Sequence, residues 1–128
     1  MVETARAQNR PVIHLRCTVS SSTVQYDADF TRQFCSTLRD NLGRDLDAKF
    51  QLAAPDVWNI EGKALMVDVR VTSSIKASVT TSYGQVANGI FTASSQEETT
   101  LNTVDSPLRP ASSRALVLGI GRQMGLVR

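Results

Sequence analysis

The stretch KALMVDVRV, Lys63 to Val71, constrains this chain more than any other. Leu65, Val67, Val69 and Val71 point one way, and Met66, Asp68, Arg70 and Thr72 the other. Unbroken alternation of this kind specifies a strand with one buried and one solvated face. Such a strand must pair, and the following residues supply the partner. Ser73-Ser74 reads as a tight turn, with Ile75, Ala77 and Val79 as the inward set of a second strand. Asn88-Gly89 is the strongest short-range hairpin signal available, because both positions tolerate positive φ. It sends the chain into a third run, IFTASSQEETTL, and Gly84 reads as a bulge before it.

Upstream, PVIHLRCTV also alternates: Ile13, Leu15, Cys17 and Val19 face inward, and His14, Arg16 and Thr18 outward. SSSTVQYDAD reads as a loop, with Asp27 or Asp29 placed to cap a helix start. From Phe30 the period becomes 3.6. Phe30, Thr31, Phe34, Cys35, Leu38 and Leu42 share one side, Arg32, Gln33, Ser36, Arg39 and Asp40 the other, and Gly43 reads as the stop. DAKFQLA alternates weakly, with Ala48, Phe50 and Leu52 together, and Pro55 and Gly62 bracket a loop carrying Trp58. At the end, Ser106-Pro107 and Pro110 lead into a helix. Leu116, Val117, Ile120, Met124 and Val127 form its apolar face, with Gly121, Gly125, Arg114 and Arg122 opposite. Its glycines predict an end prone to fray.

The expected order is β-α-β-β-β-β-α. That describes an α+β two-layer sandwich: a four- to five-stranded, mostly antiparallel sheet with two helices, near 30–43 and 110–124, on one face. Val67, Val69, Phe34, Leu38, Leu116 and Ile120 should be buried together. The outer face, with Met66, Asp68, Arg70, Lys76, Ser78 and Thr80, reads as polar enough to meet water. Residues 1–128 are one domain by length, with 1–10 expected as a flexible N-terminal segment.

Charge and composition narrow the function classes. The net charge is +2 and the pI about 8.8, and the 14 basic residues are scattered from Arg6 to Arg128, so no basic field for nucleic acid appears. No apolar run approaches the ~20 residues of a membrane span. MVETARAQ lacks the apolar core of a signal peptide, although Ala5-Arg6-Ala7 matches the small-x-small pattern at which such peptides are cut. Both a mature secreted start and an ordinary frayed terminus fit that tripeptide.

ALVLGIGRQMG, residues 115–125, carries glycines in the order G-x-G-x-x-x-G. A dinucleotide fingerprint needs a helix after the glycines and an acidic residue about 20 positions on. Only three residues follow Gly125, so no phosphate-holding helix can be built there. His14 has no evident partner, no G-x-S-x-G or S-x-x-K is present, and two cysteines with one histidine are too few for a zinc site. No cofactor or metal is therefore expected. Glu97-Glu98 read as guards against edge pairing. Cys17 on the first strand and Cys35 on the adjacent helix are disulfide candidates. Trp58, the only tryptophan, reads as a lid over the core or as an anchor for a protein partner; Met66 and Arg70 join it as partner-binding candidates.

TVQYDADFTRQFCSTL followed by APDVWNIEGKALMVDVRV resembles the periplasmic accessory factor of curli secretion. The likeness rests on the D-F-x-x-x-F helix start, here Asp29, Phe30 and Phe34, and on the Pro-to-Trp loop, here Pro55 and Trp58, before a Val-rich hairpin. It covers roughly residues 20–80. More broadly, the element order is similar to that of small periplasmic α/β-sandwich domains of envelope assembly machines. The resemblance implies a non-enzymatic periplasmic or secreted binding and assembly protein, acting through protein partners or self-association. Two alternatives stay open: a small enzyme with dispersed residues such as His14, Asp68 or Cys35, and a cytosolic or phage structural protein.

Overall fold

In the computed structural model the described residues are 11–22, 28–53, 61–73, 75–104, 106 and 108–126. The N-terminal segment 1–10, Asp27, Pro55, Trp58, Ser74, Pro107 and Val127 lie outside them. The elements are β1 (Val12–Ser21), α1 (Ala28–Asp45), β2 (Lys49–Leu52), β3 (Gly62–Val71), β4 (Lys76–Ala87), β5 (Ile90–Asn102), a 3-10 turn (Arg109–Ser112) and α2 (Arg114–Gln123).

Five strands form one sheet in the order β2-β1-β3-β4-β5. β3, β4 and β5 are the antiparallel meander that the alternation and turn residues demand. β1 runs parallel to both its neighbours, so the sheet is mixed. The ladder sets Leu15 beside Leu65, Cys17 beside Val67 and Val19 beside Val69; Val69 then meets Val79, and Val71 meets Ala77. These inward rows make the floor of the core.

Both helices cover that floor. α1 contributes Phe34, Cys35, Leu38 and Leu42, and α2 contributes Leu116, Val117 and Ile120, all buried in one cluster with the strand residues. Each fully buried aliphatic or aromatic side chain contributes roughly 1.5–3 kcal/mol. The six residues expected to be buried together are 2 % exposed or less. Two polar contacts pin the helix layer. Asn41 donates to the Ala111 carbonyl at 3.0 Å, and the Gln123 amide bonds to Thr81. Ser113 caps α2 by accepting from the Leu116 N–H at 3.2 Å.

The turn chemistry read at Asn88-Gly89 is present, with φ of 56° and 77°. Gly84 marks the expected bulge, a register shift between Tyr83 and Gly84 against β5. A Cβ at Gly84 would strike the Thr92 carbonyl oxygen and lie 2.8 Å from Ala93 Cα, so only glycine allows this approach.

Several local expectations are corrected. α1 does not stop at Gly43 but runs to Asp45; Leu46, buried just beyond, holds the last turn on the core, and its N–H bonds to the Leu42 carbonyl. Asp29 sits inside the first turn of α1, paired with Arg32, rather than before the helix as its cap. Ile75 is 50 % exposed rather than inward. The Thr72 and Ser73 N–H groups both bond to the Lys76 carbonyl, which leaves Ile75 in the turn before the first rung of the ladder. Gly121 is buried, not opposite the core, because it lies one turn beyond Val117 on the flank of the apolar stripe. The end of α2 is secured. Gly125, at φ 77°, donates to the Arg122 carbonyl, and Leu126 donates to the Gly121 carbonyl at 2.7 Å, the paired bonds of a Schellman motif.

Candidate interaction surface

On the sheet face away from the helices, Met66, Asp68 and Arg70 form one row on β3. Arg16, Thr18 and Ser20 flank it on β1, and Ser82, Thr80 and Ser78 on β4. Thr18 Oγ1 donates to Asp68 at 3.0 Å, and Ser78 Oγ donates to Glu98 at 3.0 Å. Asp68 and Arg70 are exposed, and Met66 is half-buried. The fold thus brings Met66 and Arg70 onto one surface.

That face also holds apolar residues the alternation did not flag. Ala64 and Val86 are fully buried there, beside the half-buried Met66 and Phe91. Val86 and Phe91 are a cross-strand pair. Their signal was present as an aliphatic and an aromatic residue placed symmetrically about Asn88-Gly89, a pairing that stabilises hairpins.

Chemistry does not converge on this surface. His14 stands beside Ala64, and Asp68 is four residues further along β3, about 13 Å at the usual strand rise, so the two form no acid–base pair. Cys35 is not an available nucleophile. It is bonded to Cys17, with the Cα atoms 5.7 Å apart, and both residues are 5 % exposed. Among the described residues no group of three or more His, Cys, Asp or Glu side chains could hold a metal ion, and no helix is long and apolar enough to cross a membrane.

Charges concentrate instead along α1. Arg32 pairs with Asp29 at 3.1 Å, Arg39 with Asp40 at 3.2 Å and Arg44 with Asp45 at 3.0 Å, all near solvent. The hydrogen bond from Arg44 holds the Asp45 carboxyl below the usual aspartate range, and the same bond raises the Arg44 guanidinium. Exposed pairs of this kind contribute little to stability, but they leave a charged rim beside β2, one of the two edge strands of the sheet. The other edge, β5, carries Glu97 and Glu98 and no cation between Ile90 and Asn102.

Fold and surface together define a two-layer α/β sandwich with a disulfide between its layers and two chemically unlike sheet edges. Among the solved structures that share this fold are two of the PelC dodecamer from Paraburkholderia phytofirmans. One, a single-substitution variant, is 16 % identical with a TM-score of 0.51, and the alignment covers 93 % of this chain and 89 % of that one. The other is 17 % identical with a TM-score of 0.53, covering 93 % and 90 %. No family model and no curated protein matches the chain.

Proposed function

We propose that this protein is a non-enzymatic assembly module of the bacterial cell envelope, periplasmic or secreted, working as a homo-oligomer through protein–protein contacts. The observation that carries the reading is the fold: over 93 % of its length the chain is similar to a protein solved as a dodecamer. The Cys17–Cys35 bond supports the compartment, because disulfides persist in oxidising surroundings and are rare in the cytosol. The resemblance to the curli accessory factor, carried by Asp29, Phe30 and Phe34, supports the same class. In this reading Trp58, Met66 and Arg70 are partner contacts.

Native mass spectrometry and sedimentation velocity on the oxidised protein test the proposal. A discrete closed oligomer is expected, and a monomer at every concentration reached would overturn it. Alkylation of envelope and cytosolic fractions without reductant tests the compartment: the protein should appear in the envelope fraction with both cysteines unalkylated, as the Cys17–Cys35 bond requires.

A further inference from the structure

We infer that copies of this chain associate head to tail, with the β5 edge of one copy seated against the β2 edge of the next and Glu97 meeting Arg32 and Arg39. The inference deepens the homo-oligomer reading and rests on it.

Among the described residues the two edge strands each pair on one side only, and the two edges are unlike. β5 is 13 residues long and closes one end of the strand order; β2, four residues long, closes the other. The Thr103 N–H bonds to the Ile75 carbonyl, on the β4 side. Counting back along an antiparallel ladder, Gln96, Glu98, Thr100 and Asn102 turn their backbone groups outward. On β2, the Lys49 N–H bonds to Pro11 and the Ala53 N–H to Leu15, so Phe50 and Leu52 turn theirs to the open side. Each edge offers a row of backbone donors and acceptors to another strand.

Charge decides which strand. Two β5 edges side by side would bring two Glu97-Glu98 pairs together, and like charges disfavour that contact. The opposite edge carries cations that can exchange partners. Arg32 borders Leu52 and Ala53, and Arg39, Arg44 and Lys49 border Phe50; each arginine is held in an exposed pair with Asp29, Asp40 or Asp45, and such pairs contribute little. The levels also agree. Glu97 lies opposite Thr81, which lies opposite Val67, which lies opposite Cys17. Cys17 is bonded to Cys35, and Arg32 and Arg39 sit three and four residues to either side of Cys35 on α1. Glu97 shares the helix-side face with Thr81 and Val67 and is exposed there. A neighbour set alongside without stagger therefore presents the middle of α1, at Cys35, to Glu97, with Arg32 and Arg39 about one turn to either side along the helix. Level with β2 itself, β5 offers the uncharged Phe91, Thr92, Ala93, Ser94 and Ser95, so strand pairing meets no charge.

β5 runs parallel to β3, β1 and β2, so the sheet continues from copy to copy with its strands parallel. A contact between two different surfaces closes into a ring when the rotation between copies closes.

The test is charge reversal read by native mass spectrometry and sedimentation velocity. Glu97→Arg alone, and Arg32→Glu with Arg39→Glu together, should each raise the concentration for half-assembly at least about tenfold. An equimolar mixture of the two variants should reassemble, since the reversed edges attract each other; this also shows that both variants are folded. Variants that assemble as the wild type does, or a mixture that stays dissociated, would overturn the edge assignment while leaving the homo-oligomer reading in place. A monomeric wild type would overturn both.

Discussion

Gln123 spends both ends of its side-chain amide on one residue: Oε1 accepts from Thr81 Oγ1 at 2.7 Å, and Nε2 donates to the Thr81 carbonyl at 3.1 Å. Thr81 is 4 % exposed and lies mid-strand, so its hydroxyl has been taken out of water. The pair ties the last turn of α2 to the centre of the sheet. Gln123→Ala should destabilise the protein by roughly 1–3 kcal/mol, the cost of leaving a buried group unsatisfied. Urea denaturation measures it. Thr81→Val combined with Gln123→Leu should recover much of the loss, because it removes both polar partners together.

Joining Cys17 to Cys35 closes a loop of 18 residues in sequence, worth ~3 kcal/mol by loss of chain entropy in the unfolded state. Reduction, or the double change Cys17→Ala with Cys35→Ala, should lower the denaturation midpoint accordingly. Equal midpoints with and without reductant would show that the bond contributes nothing.

Two glycine substitutions should move stability in opposite directions. At Gly43, inside α1, an added Cβ meets nothing within 4 Å, so Gly43→Ala should stabilise by up to ~1 kcal/mol through helix propensity alone. At Gly84 the same change drives a Cβ into the Thr92 backbone, so Gly84→Ala should lower the melting temperature sharply. Thermal unfolding followed by circular dichroism distinguishes the two.

Asp45 should titrate below an ordinary aspartate, chiefly because Arg44 donates to its carboxylate, with desolvation opposing. Its folded value lies below its unfolded value. The stabilisation it contributes is therefore present above the unfolded value and fades as pH falls through the folded one. Adjacent in sequence and exposed, the two residues also meet in the unfolded chain, so the effect on stability is small. Carboxyl carbon NMR reads the titration directly, and Arg44→Gln should move it upward.

Much of the core was legible because alternation is a local property. Leu65, Val67 and Val69, then Phe34 and Leu38, declare their faces by spacing alone, and Asn88-Gly89 declares its turn because both residues accept the positive φ they adopt. The candidate partner surface was legible only in part. The row of Met66, Asp68 and Arg70 follows from alternation, but the burial of Val86 and Ala64 beside it does not. Polar alternation marks what can face water, not what neighbouring side chains will cover.

Sequence alone determined the elements, most of their inward residues, though not Ile75 or Gly121, and the β3–β4–β5 meander, since adjacent strands with short turns have few ways to pair. Only the tertiary structure decided that β1 lies between β2 and β3 and parallel to both, that α1 continues past Gly43, and that Glu97 comes level with Cys17 and the middle of α1. The strand and level relations join residues from about 40 to 80 positions apart. Their free energy comes from apolar stripes finding common cover, and no local period records which stripe will meet which.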